Sequence, residues 1–156
     1  MPAAPHDAPT APPSPVVPFL RGVIAVSAGL VTGAIGIMVL EILGHMVVPP
    51  PAGIAMADPA ALRAAMPGFP VTYFVPVLLA YVVGPTIGAA LAARLAPARP
   101  LAHAGVVAGA MALGALQNFR AIPHPAWFVG ASFVAFALAP LAGVRLARRG
   151  GAKAGR

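Results

Sequence analysis

The chain has 156 residues, of which 60% are hydrophobic and only 8% are charged. A soluble domain carries about 25% charged residues, so this chain has too little charge to cover a surface that faces water, and we expect lipid around it. The net charge is +7, but the basic residues lie at the ends of apolar segments rather than along one stripe, which argues against a nucleic-acid partner. Because there is no cysteine, disulfides, thiol redox chemistry and thiolate metal sites are excluded.

The first 18 residues are rich in proline and have no hydrophobic periodicity, which predicts a disordered tail over 1–18. No cationic segment precedes an apolar core there, so this is not a secretory signal peptide. A long apolar segment follows, from about Phe19 to Val48. No charged residue lies between Arg21 and Glu41, a helical length of about 30 Å, which matches the hydrocarbon core of a bilayer. We predict the first transmembrane helix here.

A loop of more than twenty residues is predicted between the first two spans. Within it, Asp58 and Pro59 form a favourable helix start, with Asp at the N-cap and Pro at the first helical position. We expect a short surface helix that continues to Met66 and is ended by Pro67 and Gly68. Helix capping is the preferred role for Asp58.

Three further apolar segments follow, at about Thr72–Leu95, Leu101–Phe119 and Trp127–Leu146. The sequence therefore predicts an all-α integral membrane bundle of four transmembrane helices, occupying 19–147, with the short surface helix in its first outer loop. The residues 148–156 are predicted to form a disordered basic tail.

Small residues recur four apart within the spans, a spacing that lets two helix backbones approach closely. Tyr81 falls well inside the second span, where its hydroxyl needs a partner, most simply a backbone carbonyl one turn away. The glycines predicted to pack against neighbouring helices are Gly29, Gly33, Gly84, Gly88, Gly105 and Gly109.

The distribution of lysine and arginine predicts the orientation, because these residues mark the cytoplasmic side. With both termini inside, only Arg63 and Arg120 would lie outside. We therefore expect a multi-pass protein of a cell inner membrane, with the N- and C-termini cytoplasmic. A composition rich in Ala, Gly, Pro and Arg is typical of a GC-rich bacterial genome. Membrane lipid is the expected surrounding, and a homo-oligomer or a larger membrane complex remains open.

Polar residues gather at one predicted depth, the outer ends of the spans. Glu41, the only glutamate, and His45 end the first span, Asn118 ends the third, and His124 and Trp127 open the fourth. A carboxylate at the edge of the hydrocarbon must be paired, protonated or reached by water. We predict that these five residues form one polar cluster at the outer leaflet.

Two interpretations of this cluster stay open. In one, Glu41 is hydrogen-bonded across helices to Asn118 or His124 and clasps the bundle. In the other, it is a proton or metal site, because Glu41 and His45 share a helix face at i, i+4 and His124 could supply a third ligand. Zinc signatures are more specific than this pattern, so the sequence predicts neither a metal nor another cofactor.

Several short sequence motifs together resemble those of a group of small bacterial four-helix membrane proteins. The resemblance covers about 20–147. The resemblance implies the topology but no activity, and it assigns no catalytic residue. Small multidrug transporters also carry one Glu in their first helix, but their loops are shorter and their Glu lies deeper. Quinone-linked thiol oxidoreductases are four-helix bundles as well, but they need cysteines, and this chain has none. The motifs and residues that carry the resemblance are Glu41-x-x-x-His45, Pro49-Pro50-Pro51-Ala-Gly, Asp58-Pro59, Asn118 and Pro123-His124-Pro125-x-Trp127-Phe128.

The sequence favours a non-enzymatic structural, assembly or accessory membrane bundle, in which Glu41 would tolerate Gln. The alternative is a small transporter, channel or ion- or proton-handling protein that uses the outer polar cluster. In that case Glu41→Gln would abolish activity without unfolding the protein. A membrane-embedded enzyme that acts on lipid headgroups is the third interpretation, for which the sequence contains no nucleophile motif.

Overall fold

The computed structural model describes residues 16–96 and 98–154, with side chains described as far as residue 150. Within these ranges the chain forms four long helices, one short helix and a single 3-10 turn. All four long helices are long and apolar enough to cross a membrane, which confirms the predicted four-span bundle with a short helix in its first loop. The bounds are α1 Val16–Val47, α2 Pro59–Ala65, the 3-10 turn Met66–Gly68, α3 Val71–Leu95, α4 Pro100–Ala121 and α5 Ala126–Ala154.

The first and last long helices, α1 and α5, are longer than the sequence predicts. Helix α1 begins at Val16, so the last residues of the predicted tail 1–18 are helical, while 1–15 lie outside the described residues. Helix α5 continues to Ala154, into the predicted tail 148–156. After Pro140 this segment contains no further proline and is rich in Ala, Leu and Arg, which are strong helix formers.

The short helix α2 starts as its capping residues predict. The Asp58 carboxylate accepts a hydrogen bond from the Ala60 N–H at 2.9 Å, and Pro59 occupies the first turn. Before α2 the chain reverses at Gly53, whose φ of 81° is favourable for glycine. After α2, the Arg63 Nε–H donates to the carbonyl of Ala121 at 2.8 Å and so attaches the loop to the end of α4.

Helix α3 is the centre of the bundle and packs against each of the other long helices. Helix α1 packs mainly on α3 and less extensively on α4, while α4 and α5 pack on each other. Most large side chains of α1 are exposed, among them Ile24, Val31, Ile35 and Leu43, as expected for a helix with one face on the bundle and the rest toward lipid.

The alternating helix directions give the bundle two different ends. The end that we call the basic end gathers the starts of α1 and α4 and the last turns of α3 and α5, and it carries Arg21, Arg94, Arg99 and Arg145. Its core consists of small side chains, mainly Ala89, Ala93, Ala104 and Val144.

The opposite end, which we call the aromatic end, is filled by rings. Phe74 and Phe128 are 1% and 0% exposed, and their ring centroids are 5.3 Å apart. Met66 and Phe69, from the loop after α2, are buried in the same cluster. The loop between the first two spans therefore packs over this end as part of its core. The buried cluster consists of Met66, Phe69, Tyr73, Phe74, Tyr81, Ala115, Phe128 and Phe136.

Four glycines join α1 to α3, and we call this contact the glycine interlock. A Cβ added to Gly88 would lie 2.5 Å from the Gly29 carbonyl oxygen and 3.1 Å from the Gly33 Cα. A Cβ added to Gly84 would lie 2.8 Å from the Gly33 carbonyl oxygen. The two backbones touch because neither helix has a side chain there, which is the geometry expected of small residues four apart.

Gly105 and Gly109 differ from the prediction that they pack against a helix. No atom lies within 4 Å of the position that a Cβ would take on either residue. They line an open groove between α4 and α5, whose opposite wall includes Phe133 and Phe136. Gly143 makes the contact that the sequence did not predict, since its added Cβ would lie 2.8 Å from the Ala89 Cβ.

Candidate functional site

A cavity of about 420 Å³ lies between α1 and α4 near the aromatic end. Three polar side chains reach it, those of Glu41, Tyr81 and Asn118, and the remaining wall is apolar. The apolar residues are Ala34, Ile37, Met38, Met111, Gly114, Ala115 and Phe136.

Helix periodicity explains how the two long walls form. The residues of α1 are spaced at i, i+3, i+4 and i+7 and end at Glu41, and those of α4 have the same spacing and end at Asn118. Such spacing places side chains on one helix face. Because α1 and α4 run in the same direction, the two faces bring their polar ends to the same depth. Gly114 leaves space, since a Cβ there would contact nothing within 4 Å.

The cavity has a buried floor and an exposed rim. Tyr81 and Phe136 are 8% and 3% exposed and form the floor. Met38 and Asn118, at the rim, are exposed. The cavity therefore opens sideways between α1 and α4, onto the surface that faces lipid in a membrane.

The polar groups of the cavity act on one another. The Tyr81 hydroxyl and the Asn118 side chain lie close enough to influence each other, and the Glu41 carboxylate acts electrostatically on both Tyr81 and Tyr73. The polar side chain nearest in effect to the Tyr81 hydroxyl is thus Asn118 of α4, and the backbone-carbonyl bond that the sequence suggests is not formed among the described residues. Within the described ranges the Glu41 carboxylate forms no hydrogen bond or ion pair. A carboxylate among apolar walls is costly without a partner, so this position favours a proton or a bound cation.

Two prolines free backbone carbonyls of residues that form the floor of the cavity. Pro85 and Pro140 lie within α3 and α5. Because proline has no N–H, the carbonyls four residues earlier, on Tyr81 and Phe136, lack their usual helical donor. Both of these residues line the cavity.

His45 lies next to this site but not in its wall. Its ring stacks on Tyr73 with centroids 5.2 Å apart and an interplanar angle of 21°. Its Nε2 atom is buried and has no hydrogen-bond partner among the described residues. Tyr73 therefore contacts His45 and lies within the electrostatic range of Glu41.

His124 and Trp127 belong to a different environment. The His124 Nδ1–H donates to the carbonyl of Ile122 at 2.7 Å, and its ring stacks on Phe128 at 5.5 Å. Burial lowers the pKa of His124, and the hydrogen bond to Ile122 raises it by a smaller amount. Trp127 packs edge-on against Phe74 and Phe128. Neither residue lines the cavity.

The structure thus divides the predicted five-residue cluster. Glu41 and Asn118 line the same cavity. His45 stacks on Tyr73 beside that cavity. His124 and Trp127 pack among phenylalanines instead. In the part of the chain that the structure describes, no three residues of the His, Cys, Asp and Glu types gather as a metal site would require. The three-ligand set of Glu41, His45 and His124 is therefore not formed.

Sequence reasoning missed Tyr81 and Tyr73 as neighbours of Glu41. The matching i, i+3, i+4, i+7 spacing on α1 and α4 is the pattern that could have identified the cavity walls. No family model, no curated protein and no solved structure matches the chain.

Proposed function

We propose that this integral membrane protein takes up a proton or a small cation at Glu41, as a small transporter or ion- or proton-handling protein. The observation that carries the proposal is one carboxylate with no hydrogen bond or ion pair among the described residues, in a mostly apolar cavity whose other polar side chains are Tyr81 and Asn118. A carboxylate held at such a depth is expected to serve an ion or proton pathway.

The other polar groups of the cavity suit this role. Carboxylate, amide and hydroxyl oxygens are the ligands that hard cations prefer, and Glu41, Asn118 and Tyr81 supply one of each. His45 and Tyr73 continue the polar groups from Glu41 toward the end of the bundle. A proton could therefore approach Glu41 from that end, while the cavity opens sideways.

We place the protein in a cell inner membrane with both termini cytoplasmic. The support is the gathering of arginines at the basic end, since basic residues mark the cytoplasmic side. In this orientation the aromatic end, and the Glu41 cavity with it, lies toward the outer leaflet.

Ion flux into liposomes tests the proposal. The purified protein would be reconstituted into vesicles that contain a pH-sensitive dye, and proton or cation gradients of either direction would be imposed. We expect the wild type to dissipate a gradient and Glu41→Gln to lose this activity while it elutes and melts like the wild type. Asp58→Asn, which changes an acidic residue outside the cavity, is the matched control. Equal flux through the wild type and Glu41→Gln would refute the proposal.

The second candidate is a structural or accessory bundle, which the glycine interlock favours because it attaches α1 firmly to α3. In that case Glu41→Gln would leave every property unchanged, and substitutions at the interlock would abolish assembly with a partner. An enzyme that acts on lipid headgroups has no geometric feature in its favour among the described residues.

A further inference from the structure

A second opening lies between α1 and α4, at the basic end. It is a groove of about 400 Å³. Two contacts separate it from the Glu41 cavity: Val107 packs against Gly29, and Met111 packs against Gly33. The residues that line the groove are Pro18, Phe19, Gly22, Val23, Val26, Ser27, Ala102, His103 and Val106.

The groove is apolar along its length and polar at the His103 ring. The His103 Nδ1–H donates to the Arg99 carbonyl at 3.2 Å, which fixes the ring direction and leaves Nε2 available. A Cβ added to Gly22 would lie 2.9 Å from this Nε2. The available nitrogen therefore faces the α1 wall, within the groove.

Two arginines lie next to residues of the groove in the sequence. Arg21 precedes Gly22, and Arg99 is the N-cap residue of α4; both side chains are exposed. Of the described residues, only Glu41 and Asp58 are acidic, and both lie toward the aromatic end. The charge at this groove is consequently uncompensated by any described acidic side chain.

We propose that this groove binds one anionic phospholipid from the surrounding leaflet. An acyl chain lies along the valines of α1 and α4, and the phosphate lies at Arg21 and Arg99, beside the His103 ring. The occupant is a lipid because the groove lies on transmembrane helices and combines an apolar channel with basic residues at its membrane edge. Basic pockets between transmembrane helices recognise anionic headgroups in this way. The site is independent of Glu41.

Native mass spectrometry of the full chain in detergent tests the proposal. Phosphatidylglycerol and phosphatidylcholine with identical acyl chains would be titrated, and bound lipid and melting temperature would be measured. We expect phosphatidylglycerol to be retained and to stabilise the protein more than phosphatidylcholine. Arg21→Gln should weaken phosphatidylglycerol binding about five-fold, whereas Arg120→Gln, an exposed arginine at the other end, should leave it unchanged.

A second variant tests the groove itself. Ala102→Phe adds a ring to its wall and should displace the lipid, while Leu113→Phe, on an exposed position of the same helix, should not. Equal binding of the two lipids, or equal effects of Arg21→Gln and Arg120→Gln, would overturn the proposal. Inorganic phosphate that stabilises the protein as well as phosphatidylglycerol does would also overturn it, because no acyl chain would then be needed. If Ala102→Phe does not fold, the comparison of Arg21→Gln with Arg120→Gln still tests the proposed lipid site.

Discussion

The two ends of the bundle are held together in different ways. Toward the basic end, small side chains let backbones touch, as at Gly29 and Gly88. At the aromatic end, rings such as Phe74 and Phe128 fill the space between helices, and a loop packs over them. In lipid the hydrophobic effect does not drive helices together, so each end depends on packing contacts.

This difference explains where the candidate site lies. Close backbone contact leaves no space between α1 and α3, so the interlock region cannot contain a cavity. At the aromatic end the floor of the cavity is made by two rings, Tyr81 and Phe136, which occupy the centre of the bundle. Glu41, on the last turns of α1, faces the space that remains beside them.

The largest expected effect is at the interlock. Gly88→Leu should prevent folding, because backbone atoms of α1 already lie within 2.5–3.1 Å of an added Cβ and cannot move away. The smaller Gly88→Ala should cost about 1–3 kcal/mol. Unfolding titrations in detergent would measure this.

Gly109→Ala is the matched control within a transmembrane helix. It meets open space and should be neutral or stabilise by about 0.5–1 kcal/mol through helix propensity. Equal destabilisation by the alanine variants at 88 and 109 would contradict the difference in packing.

Removing a ring from the aromatic end should have the next largest effect. Phe128→Ala leaves a void among the rings that contact it and should cost about 3 kcal/mol. Phe133→Ala, on the same helix but 36% exposed, should cost much less. Similar losses for the two variants, measured by the same unfolding titration, would show that burial at this end does not determine stability.

A pH effect should follow from His124. Burial lowers the pKa of His124 in the folded protein. As the pH falls through about 6.5, the unfolded chain therefore binds more protons than the folded protein does. Stability should therefore be complete above that pH and decrease below it, by up to about 1.4 kcal/mol per pH unit. His124→Gln should flatten this dependence, and the neighbouring Trp127→Phe should retain it. An unchanged pH profile in His124→Gln would refute this assignment.

The smallest effect is expected at the loop. Arg63→Gln removes the hydrogen bond to the Ala121 carbonyl and should cost about 0.5–1.5 kcal/mol. Hydrogen exchange over the α2 segment should rise in this variant and stay unchanged in Arg120→Gln. Wild-type exchange in Arg63→Gln would show that the loop is held by Met66 and Phe69 alone.

The features that the sequence predicts correctly are local ones. The length of an apolar segment determines that it spans, and Asp58 followed by Pro59 determines where α2 starts. Helix ends likewise give the depth of Glu41 and Asn118. These properties depend on residues within one segment, so no knowledge of packing is needed.

The features in which the structure differs from the sequence prediction depend on which face of a helix meets its neighbour. Gly29 and Gly105 each begin a GxxxG pair, yet only the first faces a helix backbone. His124 lies at the predicted end of the bundle but packs on Phe128 rather than beside Glu41. Spacing alone does not distinguish these faces, because the rotation of a helix is determined by all the helices that surround it.

Labelling with a lipid-soluble carbodiimide tests most directly whether Glu41 takes up a proton or cation in its cavity. Such reagents react with protonated carboxyl groups in apolar surroundings, where the acid O–H adds across a C=N bond and rearrangement leaves a stable N-acylurea. Peptide mapping should place the label on Glu41, with less labelling as the pH rises or as the transported cation is added, and none in Glu41→Gln. A Glu41 that stays unlabelled at every pH, or that is labelled equally with and without every cation and at every pH, would contradict a proton or cation site at this residue.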